Sequence, residues 1–279
     1  MLTSQLFEQW NIDTDLAIKT VQQAVGPCDI FLGGSLADDL GNEASDVDLF
    51  AFIPEGTSGS HTQLILQCGG ATLDVTVVGG DAAPGARENL KTLLLAKADI
   101  SEAEVPLLSP RVFKQLHALY RDRSLAKSST SETIRQRYAA DLLHVYLAVR
   151  SILACAALAD DLIASPDQDP KAALYSARIA AEYAIDAALA SEGLLTSNPK
   201  LRHSLLDRAR LANDLPDDSL AHVGLFPDPS TGRLAVSKCL ESALAFLNYA
   251  GEGHMVSRFT LVQHAISLVQ EGHKVWSPS

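Results

Sequence analysis

The sequence predicts an α+β N-terminal domain, with a short mixed sheet and helices, followed by an all-α helical domain. Three observations carry this. Short apolar runs bounded by glycine and proline fill the first 80 residues. After Gly79-Gly80 the apolar spacing changes from strand-like to helical. From Glu132 onward alanine and leucine dominate with helical periodicity. The division is drawn as 1–125 and 126–279.

Leu6, Trp10, Leu16, Ile18, Val21 and Val25 recur at roughly helical spacing, which predicts one helix from Leu6 to Val25 ended by Gly26-Pro27. Cys28 to Leu32 is a short apolar run into glycines, a first strand entering a tight turn. Asp48 to Ile53 reads as a second strand closed by Pro54-Glu55-Gly56, with a polar turn at Thr57 to His61. Gln63–Cys68 and Ala71–Val78 flank Gly69-Gly70, the signature of a two-residue hairpin. Glu88–Lys97 and Arg111–Tyr120 look helical, with Pro106 and Pro110 between them. Further helices are expected near Glu132–Ala156, Asp169–Ser191, Pro199–Ala212, Leu234–Tyr249 and Val256–Gln270. Ser165-Pro166, Gly193, Leu215-Pro216 and Pro227–Gly232 separate them, where backbone-breaking residues gather.

Composition narrows the function. With 279 residues and 47% hydrophobic content, the chain is expected to fold around a sizeable core. No apolar run reaches the ~18–20 residues of a bilayer span, so no membrane partner is expected. Met1-Leu2-Thr3-Ser4-Gln5 lacks a basic segment followed by an apolar one, so no signal peptide is expected. Cys28, Cys68, Cys155 and Cys239 fit neither a zinc pattern nor a disulfide framework. Reduced thiols and a cytoplasmic location follow as expectations. The net charge of −12, with no Lys/Arg cluster, argues against a nucleic-acid partner. It is compatible with a cationic small molecule and with simple solubility.

Three elements carry chemistry. Phe31-Leu32-Gly33-Gly34-Ser35 leaves a strand and enters a turn, where glycines let backbone N–H groups approach phosphate oxygens and Ser35 adds a hydroxyl. In Ser45-Asp46-Val47-Asp48-Leu49, strand alternation would set Asp46 and Asp48 on one face, where they repel unless a cation lies between them. Mg²⁺ suits such a pair, because it takes hard oxygen ligands and completes its shell with water and substrate phosphates. In Leu73-Asp74-Val75-Thr76-Val77, alternation turns Asp74 away from the apolar face. Each element alone has an ordinary explanation: a packing turn, a solvated acidic strand end, an Asp on a wet face. Together they have the makings of metal-assisted nucleotidyl transfer.

On these residues the chain resembles the DNA-polymerase-β-type nucleotidyltransferase superfamily, in particular its small bacterial members. Their signature is a Gly-Ser pair, about ten residues, Asp-x-Asp, and a later acidic residue on a strand. Gly34-Ser35, Asp46-Val47-Asp48 and Asp74 match it, and the resemblance covers roughly residues 28–80. The C-terminal helices resemble, more loosely, the helical domain of aminoglycoside nucleotidyltransferases. The resemblance implies Asp46, Asp48 and Asp74 as catalytic and Mg²⁺-binding residues, and Gly34 and Ser35 as ligands of the β- and γ-phosphates. It implies a nucleoside triphosphate donor, with ATP favoured, and a small-molecule hydroxyl acceptor. Asp74 would serve as general base, second-metal ligand, or both.

One departure stands out. Many small members have a basic residue between the turn and the first aspartate, where this chain has Asp38 and Asp39. These two acids are expected to add negative charge near the phosphate path. A cation to neutralise the leaving pyrophosphate must then come from elsewhere. Lys171, Tyr175, Arg178 and Glu182 share one helix face, which makes Lys171 and Arg178 nucleotide-binding candidates beside an ordinary Arg178–Glu182 pair. Lys200 and Arg202 form a second cationic candidate. The histidines from His117 to His273 show no metal-ligand spacing and are read as structural or surface residues. Trp10 is expected in a core and Trp276 in a mobile tail. Two other functions fit the same motif: a protein-modifying nucleotidyltransferase of the toxin–antitoxin kind, and an inactive binding module. Oligomeric state is open.

Overall fold

A computed structural model of the chain describes residues 7–8, 11–41, 46–54, 62–79, 90, 105, 108–127, 140–195, 201–212, 228, 231–252 and 260–278. Trp10, the turn at 57–61, the helix expected at 88–97 apart from Leu90, and Lys200 lie outside the described residues. So do the expected helix starts at Glu132, Pro199 and Val256. The chain divides into two compact units. One comprises Met1–Lys91, Leu107–Leu143 and Thr196–Leu201, and the other Thr92–Pro106, His144–Leu195 and Arg202–Ser279.

In the first unit, helix α1 (Thr14–Val25) is followed by strand β1 (Asp29–Leu32), the single-turn helix α2 (Gly34–Ala37) and strands β2 (Val47–Phe52), β3 (Thr62–Cys68) and β4 (Ala71–Val78). Helix α3 (Pro110–Arg121) and strand β5 (Ser124–Ala126) follow. The helix expected from Leu6 does not run unbroken to Val25. Asn11 adopts a left-handed backbone (φ 54°), and the Asp13 side chain accepts from Leu16 N–H to begin α1 afresh. These are local preferences of Asn and Asp that outweigh the apolar spacing. Gly26 ends α1 as expected, with φ 85°.

The five strands form one mixed sheet in the order β3-β4-β2-β1-β5. β2 and β4 run parallel, and the other neighbours run antiparallel. The Gly69-Gly70 hairpin sets Cys68 opposite Ala71, and from there the register brings Ile65 opposite Asp74. β5 was not foreseen. Three half-buried residues carry too little pattern to be read as a strand, and it is the pairing with Ile30 and Phe31 of β1 that defines it.

The sheet has two unlike faces. Ile30, Leu32, Val47, Leu49, Ala51, Leu73, Val75 and Val77 point into a core shared with Ala17 and Val21 of α1 and Leu36 and Ala37 of α2. The alternate residues Asp48, Phe50, Asp74 and Thr76 therefore belong to the opposite face. Phe31 and Phe52 meet there edge to face, with ring centroids 5.5 Å apart.

The second unit is helical: α4 (Leu143–Ala164), α5 (Pro170–Ser191), α6 (Arg202–Ala212), α7 (Arg233–Glu252) and α8 (Thr260–Trp276). Asp169 caps α5 through Lys171 N–H, and alanines buried along α5 let α7 approach closely. The stretch Ala140–Ala164 is, by length and composition, apolar enough to cross a membrane, which corrects the expectation that no segment reaches that length. Counting uninterrupted apolar residues missed it, because His144 and Arg150 break the run. Much of its apolar window, 61%, is buried inside the protein, with Val145, Val149, Ile152, Cys155 and Leu162 in the core.

Trp276 is not in a loose tail. It is fully buried as the last residue of α8. Its Nε1 donates to Leu162 O at 3.0 Å, and the Arg233 guanidinium lies 4.7 Å from its ring centroid. The four cysteines are buried free thiols. Burial raises Cys28 to about 11, with Asp29 adding to the effect, and raises Cys155 and Cys239 to about 12.

Candidate active site

Register builds the site. β1 and β2 pair with Leu32 opposite Leu49, so the next residue, Gly33, faces Asp48, and Gly33 N–H donates to Asp48 O at 2.7 Å. On the other side of β2, the parallel ladder pairs Asp48 directly with Asp74. Directly paired residues on neighbouring strands project to the same face, so these two carboxylates are lateral neighbours. The glycine turn and both acids thus meet at one place on β2.

Both glycines are required by contact. A Cβ on Gly33 would lie 2.4 Å from the Phe50 ring. A Cβ on Gly34 would lie 1.9 Å from Asp48 Oδ2, and Gly34 also has a positive φ of 57°. Ser35 follows in the first turn of α2, half-buried, and its carbonyl accepts from Leu40 N–H.

Asp46 stands differently. It is exposed, directly before β2 begins at Val47. Among the described residues no group of three His, Cys, Asp or Glu side chains is arranged to hold a metal ion. The fold therefore brings Asp48 and Asp74 together and leaves Asp46 at the strand entrance. Burial pushes the Asp48 carboxyl above the ordinary carboxylate range. The Asp74 charge adds to this, Lys114 opposes it and Asp46 adds a smaller push. Crowded carboxylates of this kind favour any nearby positive charge.

One further group touches the site without a motif to announce it, and a second acts on it only through its charge. Gln63 Nε2 donates to both Asp74 oxygens, at 2.9 Å each. Hairpin arithmetic could have found it: pairing outward from Gly69-Gly70 sets Gln63 two places from Asp74's partner Ile65, on the same face. Lys114 of α3 is the other, and nothing in its local sequence separates it from a solvated helix lysine.

Asp38 and Asp39 do not load the phosphate turn with free charge, contrary to the expectation. Asp38 is buried between His117 Nε2 at 3.3 Å and Arg121 Nε at 3.0 Å. Asp39 meets Arg123 Nη2 at 2.6 Å. Arg121 Nε also reaches Ala37 O at 3.4 Å. The two acids anchor the end of α2 to α3 and to the start of β5. Their compensating cations lie more than 80 residues downstream, out of reach of a motif reading.

Residues 15–129 match the model of the nucleotidyltransferase domain family. Over this stretch, less than half of its length, the chain is similar to a nucleotidyltransferase domain. Among curated proteins, none matches the chain. The match takes in the glycine turn, Asp46, Asp48, Asp74, Gln63 and the whole of α3.

The cationic candidates of the helical unit have these positions. Lys171 and Tyr175 are exposed on α5. Arg178 Nε donates to Glu182 at 3.1 Å, the expected i,i+4 pair. Arg202 is committed elsewhere: it is buried, its Nε and Nη2 grip both Asp186 oxygens at 2.7 and 2.9 Å, and its Nη1 meets Glu182 at 3.2 Å.

Proposed function

We propose that this protein is a Mg²⁺-dependent nucleotidyltransferase that moves a nucleoside monophosphate, most simply AMP from ATP, onto a hydroxyl of a small molecule and releases pyrophosphate. The observation that carries this is the direct pairing of Asp48 with Asp74, with Gly34 packed against Asp48. A turn that binds phosphate and a carboxylate pair that binds metal are useful together only if they are adjacent.

The donor set fits Mg²⁺. It consists of hard carboxylate oxygens, and the crowding that raises Asp48 favours a cation. Mg²⁺ uses one or two carboxylates and completes its shell with substrate phosphates and water, so a closed cage of three protein ligands is not required beforehand. Asp48 and Asp74 would hold it, with Asp46 reaching in from the strand entrance. When bound, Mg²⁺ neutralises phosphate charge and polarises the α-phosphorus.

The chain's own residues do the rest. The turn at Gly34 and Ser35 binds the β- and γ-phosphates through backbone N–H groups and the Ser35 hydroxyl. Asp74, oriented by Gln63, takes the proton of the acceptor hydroxyl. The acceptor oxygen then forms its bond to the α-phosphorus in line as the bond to pyrophosphate breaks. A small acceptor suits the chain better than a polynucleotide because the net charge is −12. Cytoplasmic ATP would be the donor pool.

The test is calorimetric binding of each of the four ribonucleoside triphosphates, with and without Mg²⁺, in the wild type and in Asp48→Asn. Metal-dependent binding of one triphosphate, lost in the variant, supports the reading. Absence of binding to all four overturns it.

A further inference from the structure

A single turn of helix does not hold its own shape, because ordering it fixes several backbone angles for few hydrogen bonds. Helix α2 is such a turn, Gly34–Ala37, and it carries the residues that meet the donor's phosphates in the reading above. One short segment, residues 117–123, grips it from both sides. On the entering side, Leu32 N–H donates to Arg123 O at 2.8 Å, one residue before Gly33. On the leaving side, the Arg123 guanidinium donates from Nη2 to Asp39 at 2.6 Å. Arg121 Nε lies 3.0 Å from Asp38 and 3.4 Å from Ala37 O, and His117 Nε2 lies 3.3 Å from Asp38. Asp39 and Asp122 both hold left-handed backbones, with φ 57° and 49°. Residues in such conformations persist where their surroundings over-determine them, and here one is Asp39 itself and the other adjoins Arg123.

We propose that Asp39 and Arg123 are a pair of positioning residues for the phosphate turn, holding Gly33–Leu40 in the shape that takes the donor's β- and γ-phosphates. The proposal rests on the nucleotidyl-transfer reading above and gives neither side chain a contact with the nucleotide. Arg123 acts at two points, so loss of its guanidinium frees the leaving side of the turn and keeps the backbone bond to Leu32 on the entering side. Inside the grip, Ala37 N–H donates to Gly33 O at 3.2 Å and Leu40 N–H donates to Ser35 O at 2.9 Å. A displacement at Asp39 therefore reaches Ser35 through its neighbour Leu40. The turn also has no spare space against the acids, since a Cβ on Gly34 would lie 1.9 Å from Asp48 Oδ2. An acid at position 39 thus serves the phosphate site through the backbone, with its own charge met by Arg123.

The test compares wild type with Asp39→Asn, Arg123→Met and the double variant, and with Val21→Ala as a core change on the other face of the sheet. Asn tolerates a left-handed backbone, so Asp39→Asn removes the charge and keeps the backbone preference. Mg²⁺–ATP binding is measured by calorimetry well below the melting temperature, which is recorded for each protein. Asp39→Asn removes a negative charge near the phosphates and Arg123→Met removes a positive one, so charge alone would shift affinity in opposite directions. Positioning shifts both the same way. Each single variant should weaken Mg²⁺–ATP by about five-fold, and the double variant should lose no more than the larger single loss, because the two residues act through one contact. Val21→Ala should melt lower and bind as wild type. If wild type binds Mg²⁺–ATP and either single variant binds it equally or more tightly, the pair does not position the turn and the nucleotidyl-transfer reading stands. The same loss in Val21→Ala would also overturn the proposal, since affinity would then follow stability. If Arg123→Met does not fold, Asp39→Asn decides alone, because only positioning makes it weaker. If wild type binds no nucleotide, both readings fall together.

Discussion

Gly34 and Asp48 compete for one space: a Cβ on Gly34 would lie 1.9 Å from Asp48 Oδ2. The Gly34→Ala variant must therefore push the carboxylate aside as well as strain a left-handed backbone. A displacement of about 1 Å at a reacting centre can cost roughly 100-fold in rate. The expected outcome is a folded protein, destabilised by about 1 kcal/mol, with turnover down about 100-fold. Thermal unfolding alongside steady-state kinetics checks it, and wild-type turnover would show that the carboxylate need not stay where it is.

Asp48→Asn separates stability from function. Burial and the Asp74 charge raise the folded-state value of Asp48 above its ordinary 3.8, so ionising this group opposes folding. Below the unfolded value both states are protonated and the carboxyl costs nothing. As pH rises through the folded value, the wild type loses that stability and the Asn variant does not. In chelator, the variant should melt higher at neutral pH, with the gain vanishing near pH 3. It should also lose Mg²⁺-dependent activity. A variant with wild-type turnover would remove Asp48 from the metal site.

Asp74→Asn should lower turnover more than nucleotide affinity, if Asp74 acts mainly on the acceptor proton. Gln63→Ala should act in the same direction but less strongly, because it frees the carboxylate without removing it. Separate measurement of kcat and of Mg²⁺–ATP affinity decides. Equal losses in both quantities would make Asp74 a nucleotide-binding group instead.

Arg121→Met leaves Asp38 buried beside His117 with its strongest partner gone. Breaking a buried pair on one side costs about 3 kcal/mol, and the end of α2 should loosen with it. Denaturant unfolding tests the first effect, and hydrogen exchange at Leu40 N–H, which donates to Ser35 O, tests the second. Unchanged protection at Leu40 would mean that α2 holds its shape without the anchor.

Trp276→Phe should cost about 1–3 kcal/mol, because Leu162 O loses its donor inside a packed helical unit. Equilibrium unfolding reads this directly. A value near zero would mean that water replaces the indole N–H.

The sequence by itself determined the strand order along the chain, the hairpin register, the glycine turn, the acidic motif and most of the long helices. These depend on spacing and on local backbone preference, and both are written into neighbouring residues. Gly69-Gly70 fixed Ile65 opposite Asp74 for that reason. Only the tertiary structure decided that Asp48 and Asp74 are lateral neighbours on parallel strands, that Asp46 stands outside the ladder, and that Asp38 and Asp39 are neutralised by Arg121 and Arg123. Parallel pairing and buried ion pairs join residues tens of positions apart, and their energy comes from burial and geometry that no single segment contains. Trp276 is the same case: terminal position suggested a tail, and the Leu162 carbonyl 114 residues earlier turned it into core.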